Sequence, residues 1–297
     1  MNATMPVPPR TARAPRTAAV QVEQGVVALP KRRRRARYTP IVRSASLDGR
    51  SAGMGMEFGL LRLARGQSHR EITHHETAFV LMSGHVCVRI GGEVIEAQRA
   101  SLFDEAPWTF HCGAGTAVSI ESMRGASEFA VVRTDNPRSL LARVYSPGDI
   151  ATEDRGAGLA QGACRRLVRT IFDYSTRKDS NLVLGEVVNF PGRWSSYPGH
   201  HHPQPEIYHY RFTRPQGYGH AELGDAVFKV RDADTMLIPG GLDHAQVSAP
   251  GYGMYYLWVV RHLPRRPYRG FTFSPEHRWL LDPAQQGWLS PDVVTSR

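Results

Sequence analysis

The run His200-His201-His202-Pro203-Gln204-Pro205-Glu206 gathers imidazoles and a carboxylate in one short stretch. A further imidazole, His244, follows in Pro239-Gly240-Gly241-Leu242-Asp243-His244. Imidazole plus carboxylate is a borderline donor set suited to a divalent transition metal. If His200 begins a strand, alternation puts His200, His202 and, after an even step, Glu206 on one face, while His201 points away. A later strand ending at Pro239 and turned by glycine then returns His244, giving three histidines and one glutamate around a single divalent ion. Zinc is the first expectation, with manganese or iron(II) suited to the same donors. Such an ion is a Lewis acid toward a carbonyl and a neighbouring hydroxyl, which is the chemistry of proton removal beside a carbonyl.

Those residues need a scaffold of short strands. Apolar runs of strand length occur at Phe58–Leu63, Ala78–Met82, Val86–Ile90, Val94–Ala97, Ala117–Ile120 and Phe129–Val132. Turn chemistry separates them at Ala64-Arg65-Gly66, Ser83-Gly84, Gly91-Gly92 and Gly113-Ala114-Gly115. A second set starts at Leu167 and continues with Leu182–Asn189, Glu206–Phe212, Gly219–Leu223, Ala226–Val230, Thr235–Ile238 and Met254–Val260. The reading is all-β, with two antiparallel sandwich or barrel units at 39–135 and 167–283. A connector at 136–166 runs over the surface between them, and a tail follows at 284–297. The pattern His-x-His-x3-Glu with Pro-x-Gly-x2-His is the cupin signature, and it falls in the second unit. In the first unit His69, His74, His75, His85 and His111 have no such partner motif and read as surface or packing residues, so that barrel is expected to be structural and to hold no metal.

Charge and composition narrow the function. Of the formal net charge of +10 over 297 residues, +8 lies in residues 1–38, leaving +2 for the rest. The basic pI therefore reports an Arg- and Pro-rich tail, expected to be disordered, and nucleic acid is not expected to bind except through its Lys31–Arg35 cluster. Cys87, Cys112 and Cys164 are too few and too scattered for a disulfide framework, which suits a reducing, cytoplasmic setting. The longest apolar run, near Met254–Val260, is far short of the ~20 residues that span a bilayer, so no membrane partner is expected.

Several further segments carry a family resemblance: Asn181-Leu182-Val183-Leu184-Gly185-Glu186, Trp194-Ser195-Ser196-Tyr197-Pro198 leading into His200-x-His202, Glu206-Ile207-Tyr208-His209-Tyr210, Ala249-Pro250-Gly251-Tyr252 and Pro275-Glu276-His277-Arg278-Trp279. From about Met56 to Pro283 the chain resembles the isomerase family shared by 5-deoxy-glucuronate isomerase of inositol catabolism and 5-keto-4-deoxyuronate isomerase of pectin breakdown. The resemblance implies a bicupin, two jelly-roll barrels in one chain, with one divalent metal at His200, His202, Glu206 and His244. It also implies conversion of 5-deoxy-D-glucuronate to 2-deoxy-5-keto-D-gluconate, an aldose to ketose isomerisation on a uronate-type sugar. Asp243 stands as an insertion relative to many members, and the basic N-terminal extension is unusual among them.

Acid and base groups are sought beside the metal strands, at Tyr208, Tyr256 and His209, with Tyr210 a neighbour of the same kind. A substrate carboxylate calls for cations, and Arg193, Arg211 and Lys178 flank the site segments. Exposed sheet edges leave room for a homo-oligomer. The rival readings are the pectin-pathway isomerase, an iron-dependent cupin dioxygenase, and a sugar-binding or regulatory cupin without catalysis.

Overall fold

The computed structural model of the chain describes residues 25–27, 37–43, 53–282, 285, 287 and 288. Its strands are antiparallel throughout and form two barrels packed side by side. The N-terminal sheet runs Tyr38–Val42, Met56–Leu63, Ala117–Thr134, Glu76–Ile90, Thr109–Cys112 and Arg143–Tyr145 in spatial order. Ser68–Ile72 adds onto Ala117–Thr134, and Glu93–Arg99 adds onto Glu76–Ile90. In the C-terminal unit one sheet runs Val26–Val27, Thr235–Ile238, Glu206–Phe212, Met254–Arg261, Leu182–Asn189, Arg166–Phe172 and Glu153–Arg155. The facing sheet runs Ala226–Arg231, Tyr218–Leu223, His244–Ser248, Trp194–His201 and Thr272–Phe273.

The expected bounds hold for Leu182–Asn189, Glu206–Phe212 and Thr235–Ile238. In the first unit, however, Ser83-Gly84 is not a turn. One strand, Glu76–Ile90, runs through it, and Ala117–Thr134 likewise joins two runs read as separate. Gly84 at φ +111° and register shifts between Leu81 and Val86 bend the strand from one barrel wall to the other, as a bulge does. A Cβ at Gly84 would lie 2.3 Å from Ser127 Oγ, so glycine lets the two long strands touch at the bend.

The segment boundaries differ in two places. The connector does more than cross the surface, because Arg143–Tyr145 joins the N-terminal sheet and Glu153–Arg155 joins the C-terminal one. Nor is the whole of 1–38 without structure. Val26–Val27 pairs with Thr235–Met236 of the C-terminal unit, and Tyr38 opens the first N-terminal strand, pairing with Leu61. The Lys31–Arg35 cluster and most of 284–297 lie outside the described residues. Among the described residues no helix is long and apolar enough to cross a membrane.

Period-two alternation explains the packing. Along Glu206–Phe212, residues Glu206, Tyr208, Tyr210 and Phe212 face the interior of the C-terminal barrel, while Ile207 and His209 face the first unit. Met254 and Tyr256 face inward, whereas Tyr255, Leu257 and Val259 face the other barrel. The outward set meets Met56, Phe58, Leu60, Val80 and Val132 in a shared apolar core, so each barrel has its own core and a third lies between them.

Inside that third core sits a charged cluster. Glu186, fully buried, accepts hydrogen bonds from Arg99 Nη2 at 2.7 and 2.9 Å, from Arg169 Nη1 at 2.8 Å and from Tyr255 OH at 2.9 Å. Further guanidinium N–H groups donate to the Leu81, Leu102, Phe103 and Glu105 carbonyls, which pins the first barrel to the second, and Arg169 Nε donates to Thr152 Oγ1. A second carboxylate, Glu76, does the same at the other end. It accepts from Ser180 Oγ, the Asn181 amide N–H and Asn136 Nδ2, and it lies 2.9 Å from the buried His111 ring.

Candidate metal centre

His200 lies near the end of the Trp194–His201 strand, His202 follows in the turn, and His244 opens the neighbouring strand, with His200 and His244 as register partners. Glu206 does not continue the His200 strand as the even-step reading expects. Pro203 and Pro205 break the chain, and Glu206 starts a strand of the opposite sheet, so the carboxylate meets the imidazoles from across the barrel. The register shifts between Ser195, opposite Gln246, and His200, opposite His244, with Ser196 at φ +57°. Gly240 allows the two ligand-bearing loops to touch: a Cβ there would come 1.9 Å from the Pro203 carbonyl oxygen, and the Gly241 N–H donates to the His202 carbonyl.

One nitrogen from each of His200, His202 and His244 can be chosen so that all lie within 4.8 Å of one another. Glu206 Oε2 is 3.0 Å from His202 Nε2 and 3.2 Å from His244 Nε2. All four side chains are buried. His201, as expected, turns away, and its Nδ1 lies 2.6 Å from Asp243, whose other oxygen accepts from Ser274 Oγ. Asp243 thus ties the two loops and the C-terminal segment together outside the donor set.

The donors fit a cation. His244 Nδ1 donates to the Leu242 carbonyl at 3.0 Å, which leaves Nε2 as the lone-pair nitrogen aimed at a carboxylate oxygen. Two acceptors so placed repel unless a proton or a cation lies between them. His244 Nε2 has no hydrogen-bond partner, nor do His200 Nδ1 and His202 Nδ1. Electrostatics agree. Burial alone would raise the Glu206 carboxyl, but His202 and His244 outweigh it and hold it down to about 2. Burial and the neighbouring His244 push His200 down to about 3, whereas Glu206 raises His244 despite its burial.

Beside this set lies a cavity of about 190 Å³ that His200, Glu206, Tyr208 and Tyr256 help to line. Its size is below the ~300–1,000 Å³ of drug-sized sites, which suits one small sugar. Tyr256 OH is 2.5 Å from Ser195 Oγ, and the Tyr208 and Tyr256 rings are 4.7 Å apart. Burial raises both phenols, Tyr208 well above the ordinary value. A larger groove of about 680 Å³ on the N-terminal barrel, by Ile72 and Val94, lies away from this chemistry.

Four of the residues sought from sequence are not brought here. His209 faces the other way on its strand, against Phe58, with Nδ1 2.9 Å from Thr235 Oγ1. Arg211 pairs with Glu128 and Asp232. Arg193 lies with Arg165 and Phe190 on a separate surface, and Lys178 sits in a loop where its carbonyl accepts from Arg138. Residues that sequence reasoning passed over line the cavity instead: Arg155, Arg166 and, from the C-terminal segment, Tyr268, Phe271 and Phe273. Tyr268 stands edge-on to His202 and Phe271 covers His200 at 4.2 Å, shielding the donors from water.

His262 anchors that covering segment through Nδ1, which accepts the Tyr268 N–H at 2.8 Å. Its burial depresses the imidazole to about 4 from the usual ~6.5. Between those values the unfolded chain binds the proton first, so this contribution is present above about pH 6.5 and is lost as pH falls toward 4. Urea midpoints at pH 7.5 and 5.0 are expected to drop further in wild type than in His262→Gln; equal drops would contradict this assignment.

Two antiparallel barrels with three histidines and a glutamate converging in the second define a bicupin with a metal-type cluster in its C-terminal barrel. The sequence profile of the KduI/IolB family matches residues 30–280, and the chain belongs to that family. The 5-deoxy-glucuronate isomerase of Geobacillus kaustophilus is 30% identical over 244 residues, covering 76% of this chain and 85% of that one. The corresponding protein of Halalkalibacterium halodurans is 26% identical, covering 85% and 97%. Among solved structures, an IolB-like protein from Salmonella typhimurium superposes with a TM-score of 0.69 at 26% identity, covering 76% of this chain and 90% of that one. An oxalate decarboxylase variant from Bacillus subtilis shares the fold alone, with a TM-score of 0.56 at 11% identity over 80% of this chain and 74% of that one. The chain is accordingly an enzyme of the isomerase class.

Proposed function

We propose that the protein converts 5-deoxy-D-glucuronate to 2-deoxy-5-keto-D-gluconate, a step of myo-inositol catabolism, with one divalent ion at His200, His202, Glu206 and His244. The observation that carries this reading is the convergence of those donors on a small cavity into which two buried tyrosines also face. When bound, the ion, zinc before manganese or iron, would supply Lewis acidity toward the substrate's carbonyl and adjacent hydroxyl oxygens. The rearrangement moves one hydrogen from C2 to C1 and one from the C2 hydroxyl to the carbonyl oxygen, leaving the formula unchanged.

The chain's own part is to hold protons and exclude water. Burial keeps the Tyr208 and Tyr256 phenols protonated at neutral pH, so they serve as donors to oxygens that gain negative charge. Ser195, in contact with Tyr256 OH, fixes that hydroxyl and offers it a proton relay. Tyr256→Phe is therefore expected to lower kcat about 100-fold, the scale of losing one oriented donor, while metal content stays at the wild-type level. A kcat within twofold of wild type would remove Tyr256 from this role.

The substrate is tested by proton NMR of metal-loaded enzyme with 5-deoxy-glucuronate and, separately, 5-keto-4-deoxyuronate. Loss of the aldehyde and hemiacetal C1 signals with growth of the ketose C1 pair, from the first substrate only, supports the proposal. Turnover of the second alone would transfer the protein to the pectin-pathway activity. Oxygen uptake without an isomer product would favour a dioxygenase.

A further inference from the structure

We infer that Arg155 and Arg166 together form the subsite that grips the substrate carboxylate, at the part of the cavity they share, while the ion that the histidines and glutamate would hold serves its carbonyl end. This deepens the function proposed above and rests on it. The two residues sit on neighbouring strands, Glu153–Arg155 and Arg166–Phe172, as direct register partners. Side chains so opposed lie ~5 Å apart at Cβ, and like charges in that position are destabilising. Both nonetheless line the same cavity as His200 and Glu206. A like-charged pair facing a pocket is accommodated when an anion lies between the two guanidiniums, and a planar carboxylate matches their forked donors.

The local backbone favours this placement. Gly156 has φ +77°, and a Cβ there would come 2.2 Å from the Cys164 carbonyl oxygen and 3.1 Å from Arg166 Nη1. Glycine thus lets the connector press against the Cys164 carbonyl and the Arg166 guanidinium, whose Nη1 donates to that same carbonyl at 2.9 Å. Arg155 contacts Glu153, half-exposed and at the rim, an ion pair weak enough in water to exchange for a ligand. The cavity's carboxylates are already engaged. Glu206 belongs to the donor set, and Asp173 Oδ1 accepts from the Ser175 and Thr176 amides in its own turn. Val168 and Thr170 continue the cavity-facing alternation from Arg166, which lays an apolar and hydroxyl-bearing floor beside the pair.

Calorimetry on metal-loaded wild type, Arg155→Gln, Arg166→Gln and Arg166→Lys, with D-glucuronate and D-glucose as probes, tests the subsite directly. Wild type is expected to prefer the acid, and each Gln variant to weaken glucuronate binding roughly 10- to 100-fold while the preference over glucose collapses. Arg166→Lys, which keeps the charge and loses the fork, should fall between. In turnover of 5-deoxy-glucuronate the same loss should appear in KM more than in kcat. Unchanged preference for the acid in both Gln variants, with metal content intact, overturns the inference. Wild type that binds glucuronate through these arginines yet fails to isomerise 5-deoxy-glucuronate leaves the subsite standing and overturns the proposed function instead.

Discussion

Glu206→Gln is expected to leave the protein folded, without its metal, and slower in kcat by about 1,000-fold or more. The reason is that one oxygen, Oε2, serves two imidazoles, at 3.0 Å from His202 and 3.2 Å from His244. A neutral amide cannot balance a divalent charge there, and the amide would bring a donor toward nitrogens that must offer lone pairs. Losing Lewis-acid stabilisation of several kcal/mol converts to about three powers of ten at ~1.4 kcal/mol each. Elemental analysis beside a kinetic assay decides it. Full metal content with wild-type kcat would contradict the assignment of Glu206. His201→Ala provides the contrast, since that ring pairs with Asp243 on the opposite face and should cost far less.

A different substitution should do most damage to the fold itself. Glu186→Ala leaves two buried guanidiniums, Arg99 and Arg169, and the Tyr255 hydroxyl without their shared acceptor. Breaking a buried ion pair on one side costs ~3–5 kcal/mol, and here the orphaned charge is double. The cost falls between the two barrels, so Glu206–Phe212, which carries Glu206, and its neighbour Met254–Arg261 lose their backing as well. Denaturant titration should show that loss in full. The exposed pair Arg165–Asp154 is the contrast, and Arg165→Ala is expected to cost far less than Glu186→Ala. Comparable costs for the two variants would mean that the Glu186 cluster does not hold the barrels together.

Strands buried on both faces were the easiest to read. Leu182–Asn189, apolar except at Gly185, Glu186 and Asn189, and Thr235–Ile238, apolar after its threonine, are short buried runs whose limits follow hydrophobic burial. The strands that carry the ligands were the hardest. Trp194–His201 contains Ser195, Ser196, Pro198, Gly199 and two histidines, and His244–Ser248 is largely polar, so the side chains that make the site also erase the alternation that marks a strand. Donor types and spacing nevertheless picked out His200, His202, Glu206 and His244, side chains that the structure brings together, although the path of Glu206 through the opposite sheet depends on Pro203 and Pro205 turning the chain.

The arginines were legible only in part, for a physical reason. Charge attraction is set by distance in space, and Arg193, Arg211 and Lys178 were chosen by nearness along the chain. Arg211 lies five residues from Glu206, but its odd offset sends it to the opposite face, where Glu128 and Asp232 hold it. Arg155 sits in a stretch rich in loop signals, and only its pairing with Arg166 in the sheet carries it to the cavity. A three-residue strand paired across an irregular loop has no clear local signature. His209 failed for the same odd-offset reason, one residue from Tyr208 but facing the other barrel.

The central claim, a metal-dependent isomerisation at the His200–His202–Glu206–His244 centre, is tested most directly by following 5-deoxy-glucuronate by proton NMR with one enzyme preparation in three states. These are as purified with metal restored, after chelation, and after re-addition of zinc, manganese or iron(II). Ketose formation in the first state, its loss in the second with the fold intact by circular dichroism, and its return in the third is the predicted result. Undiminished turnover by the chelated protein, with no metal left by elemental analysis, would contradict it.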